Sequence, residues 1–337
     1  MNPSTSAAPP VTEMAVADVP RPAQGGPTRL IRKLVLSLIC VVLIAVAGQV
    51  VPPYYQYIFV LAGVYSLAVL GNNLLLSHVG LLSIGQGALV AVGAYTTAIA
   101  SQGGIGPVES LVLGVAAAMF AGFVVGLPAV RLRSHYLALV TLAFALALAE
   151  ALGSFPGVTG GATGLAITEN IISSDVLYFV TFGLLAIVLL TQELALAGRL
   201  GRTLHIIRDS PQAAASFGVR VARYKLGAFM YSGAMAGLAG GLMVSLTAYV
   251  SPTTYDLFLS IYIMAAVVMA GMSSPLAAVG GAFVIAGVPQ LTTTTAGAAP
   301  IILGAVLLLM IMLHHFVVPA LARAWRRRGS TQAGGLS

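Results

Sequence analysis

Long apolar stretches broken by short polar or glycine-rich gaps repeat from residue 34 to residue 318. A helix needs about 20 mainly apolar residues to cross about 30 Å of hydrocarbon. On that measure ten segments are predicted spans, near 34–51, 56–76, 83–100, 109–130, 135–153, 176–196, 226–248, 257–273, 277–290 and 300–318. Two are irregular. Residues 80–95, GLLSIGQGALVAVGAY, hold four glycines and a glutamine, and residues 271–290 hold Gly271, Pro275, Gly280, Gly281, Gly287 and Pro289. Interrupted segments persist at membrane depth when packed in protein or lining a cavity, and glycine serves close helix packing equally well. GALVAVG at 87–93 faintly echoes GAFVIAG at 281–287, which hints at a duplicated architecture. The expected fold is an all-α polytopic membrane protein, with residues 34–318 as one transmembrane domain.

Charge orients these spans. All 16 Lys and Arg fall in four clusters: Arg21/Arg29/Arg32/Lys33, Arg131/Arg133, six residues from Arg199 to Lys225, and Arg323/Arg326/Arg327/Arg328. A charge at the bilayer centre costs about 2.5–3.5 kcal/mol on insertion scales, and basic loops stay cytoplasmic. Ten spans place the clusters before the first span and after the fourth, sixth and tenth. The parity is even, so all four share one side and both termini are expected in the cytoplasm. Glu109, Glu169, Asp175 and Asp256 fall in or beside outer loops, and Glu150 is read as interfacial at the outer end of the fifth segment.

Composition narrows the class further. Charged residues make up 7% of the chain and apolar ones 58%, against about 25% and 45–50% in soluble domains. The net charge of +7 reflects cytoplasmic arginines, and no aromatic-interleaved basic patch suggests nucleic acid. Residues 1–33, with six prolines before residue 28, read as a disordered basic cytoplasmic tail ahead of an uncleaved first span, and 319–337 as a cytoplasmic C-terminal tail. Cys40 is the one cysteine. No phosphate-binding loop, zinc signature or nucleophile motif is present, so no cofactor, metal or catalytic residue is expected on this chain.

Residues 198–225, GRLGRTLHIIRDSPQAAASFGVRVARYK, form the longest polar stretch after the tail. Within it 210–218 predicts a short helix: Ser210 can cap it, Pro211 suits its first position, and Gly218 can end it. A capped helix among arginines can dock on a soluble partner. A basic loop held at anionic headgroups is the alternative.

These residues resemble a known family. Gln212-Ala213-Ala214-x-x-x-Gly218 is similar to the E-A-A-x-x-x-G loop of ABC importer permeases, and GRTLHIIRDSPQAAASFGV resembles the loop of branched-chain amino acid (LIV-type) permeases. GLLSIGQGALVAVGAY (80–95), RLRSHYLALVTLAF (131–144), TGGATGL (159–165) and KLGAFMYSGAMAGLAGGL (225–242) resemble further family strings in the same order, so the likeness covers about residues 55–290. Some positions depart from it. Ala145-Leu146 replaces a common Gly-Glu pair, Ser134 stands where glycine is frequent, and Pro211, Gln212 and Ala215 replace acids.

The resemblance implies a transmembrane subunit of an ATP-driven importer in a bacterial inner membrane. Its partners would be a second homologous permease subunit, two ATPase subunits carrying ATP and magnesium, and a periplasmic or lipid-anchored binding protein. Arg208, Asp209, Gln212, Ala213, Ala214 and Gly218 would form the coupling helix and its flank. Ser83, Gly85, Gln86, Gly87, Gly93, Tyr95 and Thr141 are candidates for the translocation path, and Thr159, Gly160, Gly161 and Gly164 for an outer gate or binding-protein contact. The expected cargo is a branched-chain or other hydrophobic amino acid, since no ionisable residue is read at mid-span. Urea, short amides or sugars are the alternatives within the superfamily. An ion-coupled secondary transporter is the alternative outside it.

Overall fold

The computed structural model describes residues 27–132, 134–167, 174–271 and 274–291, together with 304–305, 308–309 and 312. Most of the tenth predicted span, both terminal tails outside 27–33, Arg133 and Glu169 lie outside the described residues. Twelve helices follow in chain order among the described residues. They are α1 (Pro27–Val50), α2 (Pro53–Asn73), α3 (Gln86–Gln102), α4 (Pro107–Ala129), α5 (Ser134–Ser154), α6 (Pro156–Thr159), α7 (Ser174–Ala197), α8 (Arg199–Asp209), α9 (Pro211–Ser216), α10 (Val221–Thr247), α11 (Leu257–Met269) and α12 (Pro275–Leu291). Six of them open on proline, whose fixed φ and missing N–H suit a first helical position. Among the described residues six stretches are long and apolar enough to cross a membrane: Pro53–Val79, Pro107–Ala129, Ser134–Ser154, Val176–Ala197, Val221–Thr247 and Pro252–Met269. Leu34–Gln49 and Pro275–Gln290 are shorter apolar helices.

Three local features differ from the sequence expectation. First, α1 begins at Pro27, so residues 27–33 of the predicted disordered tail are helical. Second, the fold is not wholly helical. Leu165–Ala166 (β1) pairs antiparallel with Tyr249–Val250 (β2), with Leu165 opposite Val250. Two residues per strand carry no alternation long enough to predict. Third, α2 runs on into a π-helical turn, Leu74–Val79, which ends at Gly80 with φ of 75°.

Helix α10 lies at the centre, packed on α4, α3 and α2. The contacts run through glycine because the backbones nearly touch. A Cβ on Gly93 of α3 would stand 2.4 Å from the Gly237 Cα of α10, and one on Gly233 would stand 2.4 Å from the Ala118 O of α4. Such close approach substitutes dispersion contacts for a hydrophobic drive that lipid does not supply. Outward faces stay apolar, with Phe120 and Val124 on α4, Leu139 and Leu146 on α5, and Phe179 and Ile187 on α7 exposed. A soluble chain would not leave such faces uncovered.

The two echoing segments both approach α11. Gly87 in α3 donates its N–H to Ser260 Oγ of α11 at 2.9 Å, and a Cβ on Gly281 of α12 would lie 2.4 Å from Ala266 O, also of α11. Both segments use their leading glycine to approach the same helix.

Candidate functional site

Helix breaks inside an apolar bundle strand backbone groups, so the 80–85 break raises an accounting question. Side chains from α5 answer it. Ser134 Oγ accepts the Leu82 N–H at 3.0 Å and donates to Gly80 O at 3.1 Å. Thr141 Oγ1 accepts the Ile84 N–H at 3.0 Å. The break leads into the start of α3, where Gln86, 0% exposed, joins three helices. Its Nε2 donates to Ala68 O of α2 and Ser232 O of α10, each at 3.2 Å. Its Oε1 accepts from Ser232 Oγ at 2.9 Å.

Ser83, Gln86, Gly87, Gly93, Tyr95 and Thr141 are all buried, and Gly85 packs on the Thr141 carbonyl. The fold therefore brings Ser83, Gly85, Gln86, Gly87 and Thr141 together at the α3 start, with Gly93 and Tyr95 about two turns further along α3. In this conformation they form a packed node where α2, α5, α10 and α11 meet α3. They line neither the large cavity described below nor the small internal void beside Tyr255.

The 198–225 stretch forms a helix pair. Gly201 permits the sharp turn from α7 into α8, since a Cβ there would lie 1.8 Å from Leu196 O. Gly201, Leu204 and Ile207 face inward while Arg202, Asp209 and neighbouring polar residues stay exposed, the 3–4 spacing of an amphipathic helix. Arg208 donates from Nη1 to the Ser77 carbonyl in the π-turn, and its aliphatic stem lies against Gly80. That contact fastens α8 to the end of α2.

Ser210 then caps α9, its Oγ accepting the Ala213 N–H at 3.2 Å. Gly218, with φ of 78°, turns the chain toward α10. Ala214 is 0% exposed within a second apolar cluster that includes Leu204, Ile207 and Phe229. Gln212, Ala213, Ala215, Ser216 and Phe217 point outward. Phe217, 81% exposed, is the largest apolar group on this surface.

At the opposite end of the long α10, residues 155–167 form a pad. Thr159 Oγ1 bonds Leu152 O at 2.6 Å and Phe155 O at 2.7 Å. Gly160, Gly161 and Gly164 have φ of 72°, 60° and 74°. Tyr249 donates its hydroxyl to Thr163 O, Gln102 Nε2 donates to Ala166 O at 3.1 Å, and β1 pairs with β2. Thr159, Gly160, Gly161 and Gly164 thus share one structural unit, as do the residues of α8–α9. The two units occupy opposite ends of a helix about 40 Å long.

Several residues escaped the sequence reading. Ser232 and Ser260 complete the α3 node; Ser232 lies within the 225–242 string, whereas Ser260, an isolated serine in an apolar helix, carries no sequence signal. Asn72 is buried with neither amide atom partnered, and Asn73 Nδ2 is likewise without one. Adjacent amides inside an apolar run were a readable signal, because buried unpaired amides are costly. Glu193 lies 7% exposed within α7, an acid inside the predicted 176–196 span that the sequence reading did not weigh beside Glu150. Its closeness to the basic loop masked it. Phe217 was signalled by its place beside a helix-ending glycine in an otherwise polar loop.

The large cavity, about 800 Å³, lies between α7, α8 and the first turns of α10. Gln192 on its wall donates to Leu70 O at 3.3 Å and accepts from the Tyr231 hydroxyl at 3.5 Å.

Comparison with known proteins gives a consistent relationship. A family profile for the branched-chain amino acid transport system permease component matches residues 54–314. The high-affinity branched-chain amino acid transport system permease proteins LivM of Escherichia coli and of Salmonella typhimurium are each 31% identical over 253 residues, 66% of this chain and 60% of theirs. The chain therefore spans about three fifths of the length of these relatives. No solved structure matches the chain.

Proposed function

The chain belongs to the branched-chain amino acid transport permease component family, and on that premise we propose that it is one of two transmembrane subunits of an ATP-driven amino-acid importer. The carrying observation is α9, a capped helix of six residues that buries Ala214 on its own subunit and turns Phe217 outward. An exposed aromatic beside small residues suits insertion into a partner's cleft. In this reading the partner is an ATPase subunit, which binds ATP and magnesium, and this chain does no chemistry. Six basic residues from Arg199 to Lys225 put the α8–α9 end in the cytoplasm by the positive-inside bias. Ten spans, both termini inside, complete the topology in a bacterial inner membrane.

The glycine pad then faces outward, where a substrate-binding protein delivers a branched-chain or other hydrophobic amino acid. The α3 node is the element that moves in alternating access. Its hydrogen bonds tie the broken segment to four helices, so shifting any of them re-aims residues 80–86.

Accessibility and transport test the reading together. In a Cys40→Ser background, an impermeant maleimide added to intact cells should label Thr163→Cys and spare Ser210→Cys. Strong labelling at position 210 overturns the topology. The permease pair reconstituted with its ATPases should take up leucine only with ATP. Glu193 gives the ion-coupled alternative the one buried acid among the described residues, and Glu193→Gln separates the two. An importer keeps its ATP requirement in this variant, whereas uptake that follows a proton gradient and vanishes with Glu193→Gln favours the alternative.

A further inference from the structure

The cavity between α7, α8 and α10 has a layered lining that neither the docking role of α9 nor the α3 node explains. From the N-cap of α10 onward, Arg220, Tyr224, Gly227 and Tyr231 follow at spacings of four, three and four, and all four line the cavity with Arg223 beside them. The opposing wall carries Ala195, Leu196, Leu200 and Leu204, with Thr191 and Gln192 as its polar members. Arg220 and Arg223 are exposed, and among the described residues no ion pair neutralises either.

The order from arginine to tyrosine to glycine repeats the order of a membrane leaflet: headgroup, interfacial ring, hydrocarbon. From Arg220 to Tyr231 the helix rises about 16 Å, about half the thickness of a bilayer's hydrocarbon core. Open space lies beside Gly227, where an added Cβ would meet nothing within 4 Å. A slot therefore continues past the charged mouth.

We infer that this cavity binds an anionic glycerophospholipid of the cytoplasmic leaflet, its phosphate on Arg220 and Arg223 and an acyl chain against Leu196, Leu200 and Leu204. The leaflet assignment rests on the topology proposed above. Guanidinium groups match phosphate oxygens in a planar fork, while the ammonium of a zwitterionic phosphatidylethanolamine would face two like charges. Each basic residue near an anionic surface contributes about fivefold in binding, so the pair contributes about 30-fold. Gly218 and Val219 also line the cavity. A bound lipid therefore touches the connection between α9 and α10, and would steady the pose of the docking helix.

The test uses the whole permease–ATPase complex in native membranes, with p-benzoylphenylalanine at position 200, which is exposed on the cavity wall. After irradiation, peptide mass mapping should show residue 200 joined to phosphatidylglycerol or cardiolipin, well above the share of these lipids in the membrane. Capture of phosphatidylethanolamine in proportion to its abundance overturns the proposal. So does capture of an ATPase peptide, a second permease subunit or a terminal segment of this chain.

Arg220→Gln/Arg223→Gln should lower anionic capture about 30-fold, and Arg220→Lys/Arg223→Lys should keep most of it. Equal capture by the Gln pair and the wild type overturns the proposal. If the Gln pair fails to assemble, selectivity is read from the Lys pair and the wild type in vesicles of stated phosphatidylglycerol content. Absence of a preference for phosphatidylglycerol in both is equally fatal. Lipid capture needs neither ATP nor substrate, so loss of uptake with capture intact counts against the importer reading alone. Outside labelling at position 210 counts against the leaflet.

Discussion

Gly164 and Gly218 share a positive φ, of 74° and 78°, yet they stand in opposite surroundings. A Cβ on Gly164 would lie 2.2 Å from Val250 O and 2.9 Å from Ser251 Cα, whereas one on Gly218 would meet nothing within 4 Å. The pad end is a closed assembly in which glycine lets two strands of chain cross. The α9 end is an open one in which glycine only turns the chain away from a helix. The pad's backbone is closed within this subunit, although Phe155 and Val158 stay exposed. The other end leaves its connection open and Phe217 uncovered.

The largest expected effect comes from Gly164→Ala. Backbone strain at φ 74° and ψ −172° and the clash with β2 together should cost at least about 3 kcal/mol, read as a lowered unfolding temperature with loss of uptake. An unchanged melting curve would show that the pad is not a closed unit. Phe217→Ala should do the reverse. Its ring touches little of its own chain, so stability should hold while ATPase affinity falls about 30-fold, as for an interfacial anchor worth about 2 kcal/mol. Undiminished ATPase co-purification would remove α9 from the docking surface.

Ala214→Leu sharpens the contrast within α9 itself. Ala214 is packed inside its own subunit, so overfilling should destabilise the permease by about 1–3 kcal/mol. A wild-type unfolding temperature with lost ATPase binding would instead place Ala214 at the interface. Gly218→Ala should be mildest, about 1 kcal/mol for the backbone conformation alone. A loss as large as that of Gly164→Ala would mean the open surroundings of Gly218 close around it when the complex forms.

Much of the fold was legible because the signals are local. Proline marked the first residues of α2, α4, α9 and α12, and the ends of α9 followed from Ser210 and Gly218. The candidate site was legible in its grouping. Gln86, Gly87 and Thr141 do cluster, but as bonds and contacts that hold a helix break together. Arg208, read as part of the coupling helix and its flank, also binds the Ser77 carbonyl. Its partner is 131 residues away, and no periodicity spans that distance.

The sequence by itself determined the membrane class, the positions of the apolar helices and the sidedness bias of the basic clusters. Each of these follows from free energies that residues pay or gain one at a time when they meet lipid or water. Tertiary structure decided which face of α9 is buried, which glycines meet another backbone, and how β1 finds β2. It also decided that Arg220, Tyr224 and Leu200 share one cavity. Those outcomes depend on pairs of residues brought together by packing, and a pair distant in the chain has no energy until the helices between have docked.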